Sequence, residues 1–197
     1  MKRKKAFPLL ILGAILILAG VGLMLGLRLQ MSAAARENQR IVEQIEQILP
    51  EQTDGVPGSF GGAGMPALEI EGTDYIALLE IPAFGLKLPV TSRLDSGVVP
   101  MTPGRFSGSV YDGTLIIGGA DDPQQFAFCS RIEHGVYVTV TDMTGARYSF
   151  RVTGIDRDEH ASAQWLRDEG ADLTIFCRSM NSLEYIAVRC VFAYRLS

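Results

Sequence analysis

Leu173-Thr174-Ile175-Phe176-Cys177 reads as a short strand that ends in a thiol. A polar loop follows, and then a second strand runs from Tyr185 to Tyr194. A cysteine at a strand end is expected at the rim of a sheet, where it meets a substrate. To act as a nucleophile there, it needs a base for its proton and a donor for the developing oxyanion. On either side the strand pattern recurs. Tyr75 to Ile81 and Leu86 to Thr91 flank a turn from Pro82 to Gly85. Thr114 to Gly118 is apolar enough for a buried central strand. Val136 to Thr141 and Arg147 to Ile155 alternate about Met143-Thr144-Gly145, a hairpin signal. Short helical pieces are expected at Pro123 to Ile132 and Ser162 to Glu169. Seven or eight strands with few helices predict a mainly β domain, closed as a barrel.

The chain has 197 residues, too few for two large domains. Residues 6–27 carry no charge. As a helix they span roughly 33 Å, enough to cross a hydrocarbon core. Lys2, Arg3, Lys4 and Lys5 precede this run and Arg28 follows it, which orients the N-terminus to the cytoplasm and the rest outside. The run exceeds a typical signal-peptide core, so an uncleaved transmembrane anchor is expected over cleavage near Ala33 and Ala35. Gly22 and Gly26 form a GxxxG pair that suits a helix-mediated homodimer.

The expected organisation is a basic tail at 1–5, the anchor at 6–27, an amphipathic stalk helix at 28–49, a Gly/Pro-rich linker at 50–67 and the β-barrel domain at 68–197. In the stalk, Ile41, Ile45, Ile48 and Leu49 share a face, and Pro50 stops the helix.

All 22 acidic residues and only 14 of the 18 basic ones follow the anchor, so the exterior part carries about −8. An acidic domain without a basic run argues against a nucleic-acid partner. Cys129, Cys177 and Cys190 are an odd number, so at least one thiol stays unpaired within a chain. Cys190 in mid-strand is expected far from Cys177, against a disulfide between them. Two scattered histidines and three separated cysteines lack metal-ligand spacing, and no cofactor motif is evident.

Here the chain resembles the sortases, the membrane-anchored cysteine transpeptidases of Gram-positive cell surfaces. Tyr75-Ile76-Ala77-Leu78-Leu79-Glu80-Ile81-Pro82 and Gly85-Leu86-Lys87-Leu88-Pro89-Val90 resemble the opening strand pair. Leu115-Ile116-Ile117-Gly118 resembles the strand that ends in the catalytic His. Phe126, Ile132 and Gly135, followed by Val136 to Val140, resemble the next helix and strand. Leu173 to Cys177 resembles the strand carrying the nucleophile, and Tyr185-Ile186-Ala187-Val188 the last strand, which normally opens with the catalytic Arg. The short interval after Cys177 is most similar to class B. The resemblance implies a Cys177 thioester with a sorting-signal peptide, resolved by an amine from the cell wall or a pilin.

The sequence departs from that pattern at two positions. Gly119 stands where the His is expected, and Tyr185 where the Arg is expected. His134 and His160 both fall in polar loops. Arg178 adjoins Cys177 and is a candidate to favour thiolate. Tyr185 is a candidate oxyanion donor. Arg189 shares the Tyr185 face but lies about 13 Å further along the strand. Loss of a general base costs about 10²–10⁴ in rate, and loss of an oxyanion donor about 10²–10³. The expectation is therefore a catalytically impaired sortase-family protein that binds a sorting-signal-like peptide or surface protein as a scaffold. The alternative is an active transpeptidase in which Cys177 borrows a base from elsewhere, such as His160 or a partner.

Overall fold

The computed structural model describes residues 6–55, 64–95, 102–167 and 170–196. Two units are present, residues 1–37 and 38–197. A single helix, α1 (Ala6–Ile48), begins in the first and ends in the second. The separate helix expected from residue 28 is thus the last part of a longer one. No charge or Pro interrupts residues 9–27, so nothing there ends the helix. Within α1, the side chains of residues 6–12, 14, 23–25, 27–33 and 35 lie outside the described residues, as does the 1–5 tail. The expected anchor and the Ala33 and Ala35 alternative fall largely on these. Among the described residues, no helix is long and apolar enough to cross a membrane.

The second unit is built on ten strands: β1 (Thr53–Asp54), β2 (Leu68–Ile70), β3 (Thr73–Ile81), β4 (Leu86–Thr91), β5 (Gly104–Ser107), β6 (Leu115–Ala120), β7 (Tyr137–Asp142), β8 (Ala146–Asp158), β9 (Leu173–Arg178) and β10 (Tyr185–Phe192). Eight of them close a barrel. The path runs β8-β10-β9-β6-β5-β4-β3, and β7 completes the ring by pairing with both β3 and β8. Most neighbours are antiparallel, while β4–β5 and β6–β9 are parallel. Ile76, Leu79, Leu115, Ile117, Val138, Val140, Phe150, Ile175, Cys177, Val188 and Cys190 are among the side chains that fill the interior.

Turn chemistry sets the local hairpins. Gly145, at φ 84°, closes β7–β8, and Asp142 Oδ1 accepts from Thr144 N at 2.8 Å. Glu71 and Gly72, both at positive φ, form the two-residue β2–β3 turn. The expected linker supplies β1, which pairs with β8. Gly55 follows it, and a Cβ there would meet the Tyr148 ring at 2.5 Å. Residues 56–63 of that linker lie outside the described residues.

Residues 38–48 of α1 do not stand clear as a stalk. Ile41, Val42 and Ile45 are buried against Ile70, Tyr75 and Leu78 on the outside of the barrel. Ile48, expected on the buried face, is exposed. Arg40 Nη2 pairs with Glu71 at 2.7 Å, and Lys87 pairs with Glu46. Asn38 Oδ1 accepts from Thr102 Oγ1 at 2.7 Å. Burial of the aliphatic stripe supplies most of the docking energy, because exposed ion pairs contribute little.

Candidate functional site

Strands β6 and β9 run parallel, with Gly119 opposite Cys177 and Gly118 opposite Phe176. Alternation divides their side chains between two faces. Leu115, Ile117, Ile175 and Cys177 point into the barrel, whereas Ile116 and Phe176 join Leu166, Ala187 and the flanking Leu94, Trp165 and Tyr185 on the outer face. Cys177 is therefore not a rim thiol. It is 1 % exposed, although it sits one residue from the end of β9.

The segment after β6 turns back over this end of the strands. Gln125 Oε1 accepts from Ala120 N at 3.2 Å, and Phe126 N donates to Ala120 O at 3.0 Å. These bonds bring the fully buried Phe126 ring against Gly119, where a Cβ would lie 2.7 Å from it. The Cys177 thiol donates to Phe126 O at 3.6 Å. Cys129 N donates to the same carbonyl at 2.9 Å. Burial, followed by a hydrogen bond with Cys177, pushes the Cys129 thiol well up from its ordinary value. Burial raises Cys190 likewise. Asp121 Oδ2 accepts from Met180 N at 2.8 Å, which ties the loop after β6 to the loop after β9.

Outside the barrel, Arg189 forms a clasp. It is 4 % exposed. Its Nε donates to Asp156 Oδ2 at 2.8 Å, and its Nη1 to Leu166 O at 2.7 Å and Thr174 Oγ1 at 3.2 Å. Its Nη2 donates to Trp165 O at 2.6 Å, and its guanidinium lies 5.1 Å from the Trp165 ring centroid. The short helix α2 (Ala163–Leu166), capped by Ser162, is thereby fixed on β9 and β10. Beside it lies a cavity of about 610 Å³, bordered by Ser107, Asp112, Ile116, Leu166, Arg167 and Asp172. Its walls are mixed, apolar at Ile116 and Leu166 and charged at Asp112, Arg167 and Asp172.

No family model matches the sequence. No curated protein matches it either. Solved structures do. Sortase C1 from Streptococcus agalactiae superposes with a TM-score of 0.52 at 18 % identity, over 64 % of this chain and 71 % of that one. Sortase A from Corynebacterium diphtheriae gives 0.52 at 17 %, over 83 % and 82 %. Sortase C from Streptococcus pneumoniae gives 0.51 at 16 %, over 80 % and 87 %. The fold is that of the sortases.

Within the sortase fold, the register brings two of the three expected positions close together and separates the third. Gly119 and Cys177 are strand neighbours. Tyr185 lies opposite Arg178, while Ile186 lies opposite Cys177. Tyr185 joins the outer cluster, on the face of the sheet away from the Cys177 sulfur. Arg178 also leaves the thiol. It is exposed, donates from Nε to Leu183 O at 3.2 Å and stacks over Tyr185 at 5.7 Å. Arg189 is occupied in its clasp. His134 and His160 are exposed. The Cys177 thiol is thus aimed at a backbone carbonyl, a hydrogen-bond acceptor that does not serve as a general base.

Phe126 as the neighbour of Gly119 was not anticipated from the residues. Its signal was a Gly-Gly pair followed closely by an aromatic residue in an apolar run. Asp142 was also missed. It is fully buried and accepts from Tyr111 Oη at 2.8 Å and from Ala146 N at 3.0 Å.

Proposed function

We propose that this is a sortase-family protein anchored in the cell membrane with its barrel outside. In this reading it binds a sorting-signal-like peptide or surface protein without completing transpeptidation. The observation that carries the reading is the Gly119–Phe126–Cys177 arrangement. A ring packs where an imidazole would need room, and the thiol donates to a backbone carbonyl. Support for the anchor is the uncharged run at 6–27 with four basic residues before it. The GxxxG spacing of Gly22 and Gly26 supports pairing with a second copy through the membrane. The cavity between Ser107, Ile116 and Leu166 is the proposed peptide seat.

The test uses the full chain in detergent micelles with sorting-signal peptides and hydroxylamine. Saturable binding is expected, without peptide cleavage. Ser107→Trp, which fills the cavity, is expected to abolish binding, and Cys177→Ala to leave it within about twofold. Cleavage that depends on Cys177 would instead establish an active transpeptidase. Cell fractionation tests the anchor. The full chain is expected in the membrane fraction, and a chain lacking residues 1–37 in the soluble one.

A further inference from the structure

We propose that the cavity beside α2 anchors one long basic side chain of a bound peptide, a lysine or an arginine, away from the Cys177 end of the strands. Such an anchor presupposes the peptide seat proposed above and specifies what that seat holds. Two kinds of wall meet there. Ile116 and Leu166, both buried, supply the apolar part, and Asp112 and Asp172 supply carboxylates. The carboxylates belong to one end of the cavity, since a Cβ at Gly113, the residue after Asp112, would lie 2.9 Å from Asp172 Oδ1. Both are already held in place. Asp112 is exposed, and its Oδ1 accepts from Thr114 Oγ1 at 2.6 Å. Thr114 Oγ1 in turn accepts from Ser109 N at 3.2 Å, so the loop fixes the carboxylate it carries. Asp172 is buried, and its Oδ2 accepts from Phe192 N at 2.8 Å. A ligand cation therefore meets carboxylates that need little reordering to receive it.

An alkyl stem that ends in a positive charge matches both walls at once. Its methylenes lie on Ile116 and Leu166, and its ammonium or guanidinium reaches the carboxylates. A purely apolar side chain would desolvate the carboxylates without compensation, and an acidic one would be repelled. Two carboxylates against the guanidinium of Arg167, which is exposed, leave the lining net negative. Register places this anchor away from the thiol. Ile116 and Thr174, both at the cavity, are strand partners, and Gly119 and Cys177 are partners three residues further on, roughly 10 Å along the strands. The basic side chain is held there to position the peptide and is not brought to the sulfur.

The full chain in detergent micelles is titrated by calorimetry with sorting-signal peptides in which one residue, moved in turn along the peptide, is lysine, norleucine or glutamate. At one position lysine is expected to bind about fivefold more tightly than norleucine, with glutamate weakest. The lysine preference is expected to shrink at high salt. Asp112→Asn keeps an acceptor for Thr114 and is expected to bring the lysine and norleucine peptides within about twofold of each other. Equal affinity for lysine and norleucine at every position, or an undiminished preference in Asp112→Asn, overturns the basic anchor and leaves the peptide seat standing. Binding of none of the peptides overturns both. The peptide series on the unsubstituted chain decides the matter even where the variant fails to fold.

Discussion

Gly119 and Cys177 are register partners on adjacent parallel strands, and the space beside Gly119 belongs to the Phe126 ring. The glycine is therefore required by packing. A larger side chain must displace an aromatic ring that is held by hydrogen bonds at both ends of the 120–126 turn.

Gly119→His is consequently expected to destabilise the barrel by about 1–3 kcal/mol, as overpacking does, without creating a working base. Thermal unfolding and a hydroxylamine assay check both parts. A variant as stable as the parent that also cleaves peptide would refute the packing argument.

Arg189→Leu removes a buried guanidinium and leaves the Trp165 and Leu166 carbonyls without their donor. The expected loss is about 3 kcal/mol, at the low end for a broken buried pair, because half-exposed Asp156 regains water. Arg189→Lys is expected to fall between, since one ammonium cannot reproduce the fork. Denaturant unfolding measures this. Peptide affinity should fall in parallel, because the clasped segment borders the cavity.

Ile45→Ala tests whether residues 38–48 of α1 unfold with the barrel. Ile45 is fully buried among Ile70, Tyr75 and Leu78, so the cost is expected at about 2–5 kcal/mol. A change below half a kilocalorie with an unchanged transition slope would mean that this turn of helix contributes no packing to the cooperative unit.

Tyr148 carries one part of the expected alkaline pH dependence, beside the buried Cys129 and Cys190 thiols. Its hydroxyl is buried without a hydrogen-bond partner. Burial, and next the Asp142 carboxylate, push its pKa up to about 12 from an ordinary value near 10. The unfolded chain then loses this proton before the folded one does. The Tyr148 contribution is intact below about pH 10 and is lost as pH rises toward 12. Tyr148→Phe is expected to be neutral or slightly stabilising at pH 8 and to show a shallower decline in the alkaline range. Unfolding titrations at pH 8 to 11 read both. An equally steep decline in the variant would assign the effect to another group.

Much of the strand set was legible because its causes are local. Residues 136–141 and 147–155 alternate in sequence, residues 75–81 form a short apolar run, and Gly85 and Gly145 sit where the backbone needs positive φ. Strand β5 was not legible. Gly104-Arg105-Phe106-Ser107 has no periodicity of its own and becomes a strand by pairing with β6 and, at Gly104, with β4. The site was legible in its positions and not in its exposure. Cys177 lies near a strand end as expected, yet the turn at 120–126 folds over that end and encloses it. Arg189 was placed on the correct face, but its partners come from residues 156, 165 and 166, which no spacing rule connects to it.

The residues alone determined most of the barrel strands, the turns at Gly85 and Gly145, and that no His follows Gly118 and no Arg opens the strand at 185. They do so because pleat alternation, turn chemistry and side-chain identity act within a few neighbouring residues. The tertiary structure decided the rest: closure through β7 onto both β3 and β8, the inward aim of Cys177 and the Phe126 ring beside Gly119. A strand's inner face exists only once register and ring closure are set, and those depend on pairs far apart in the chain.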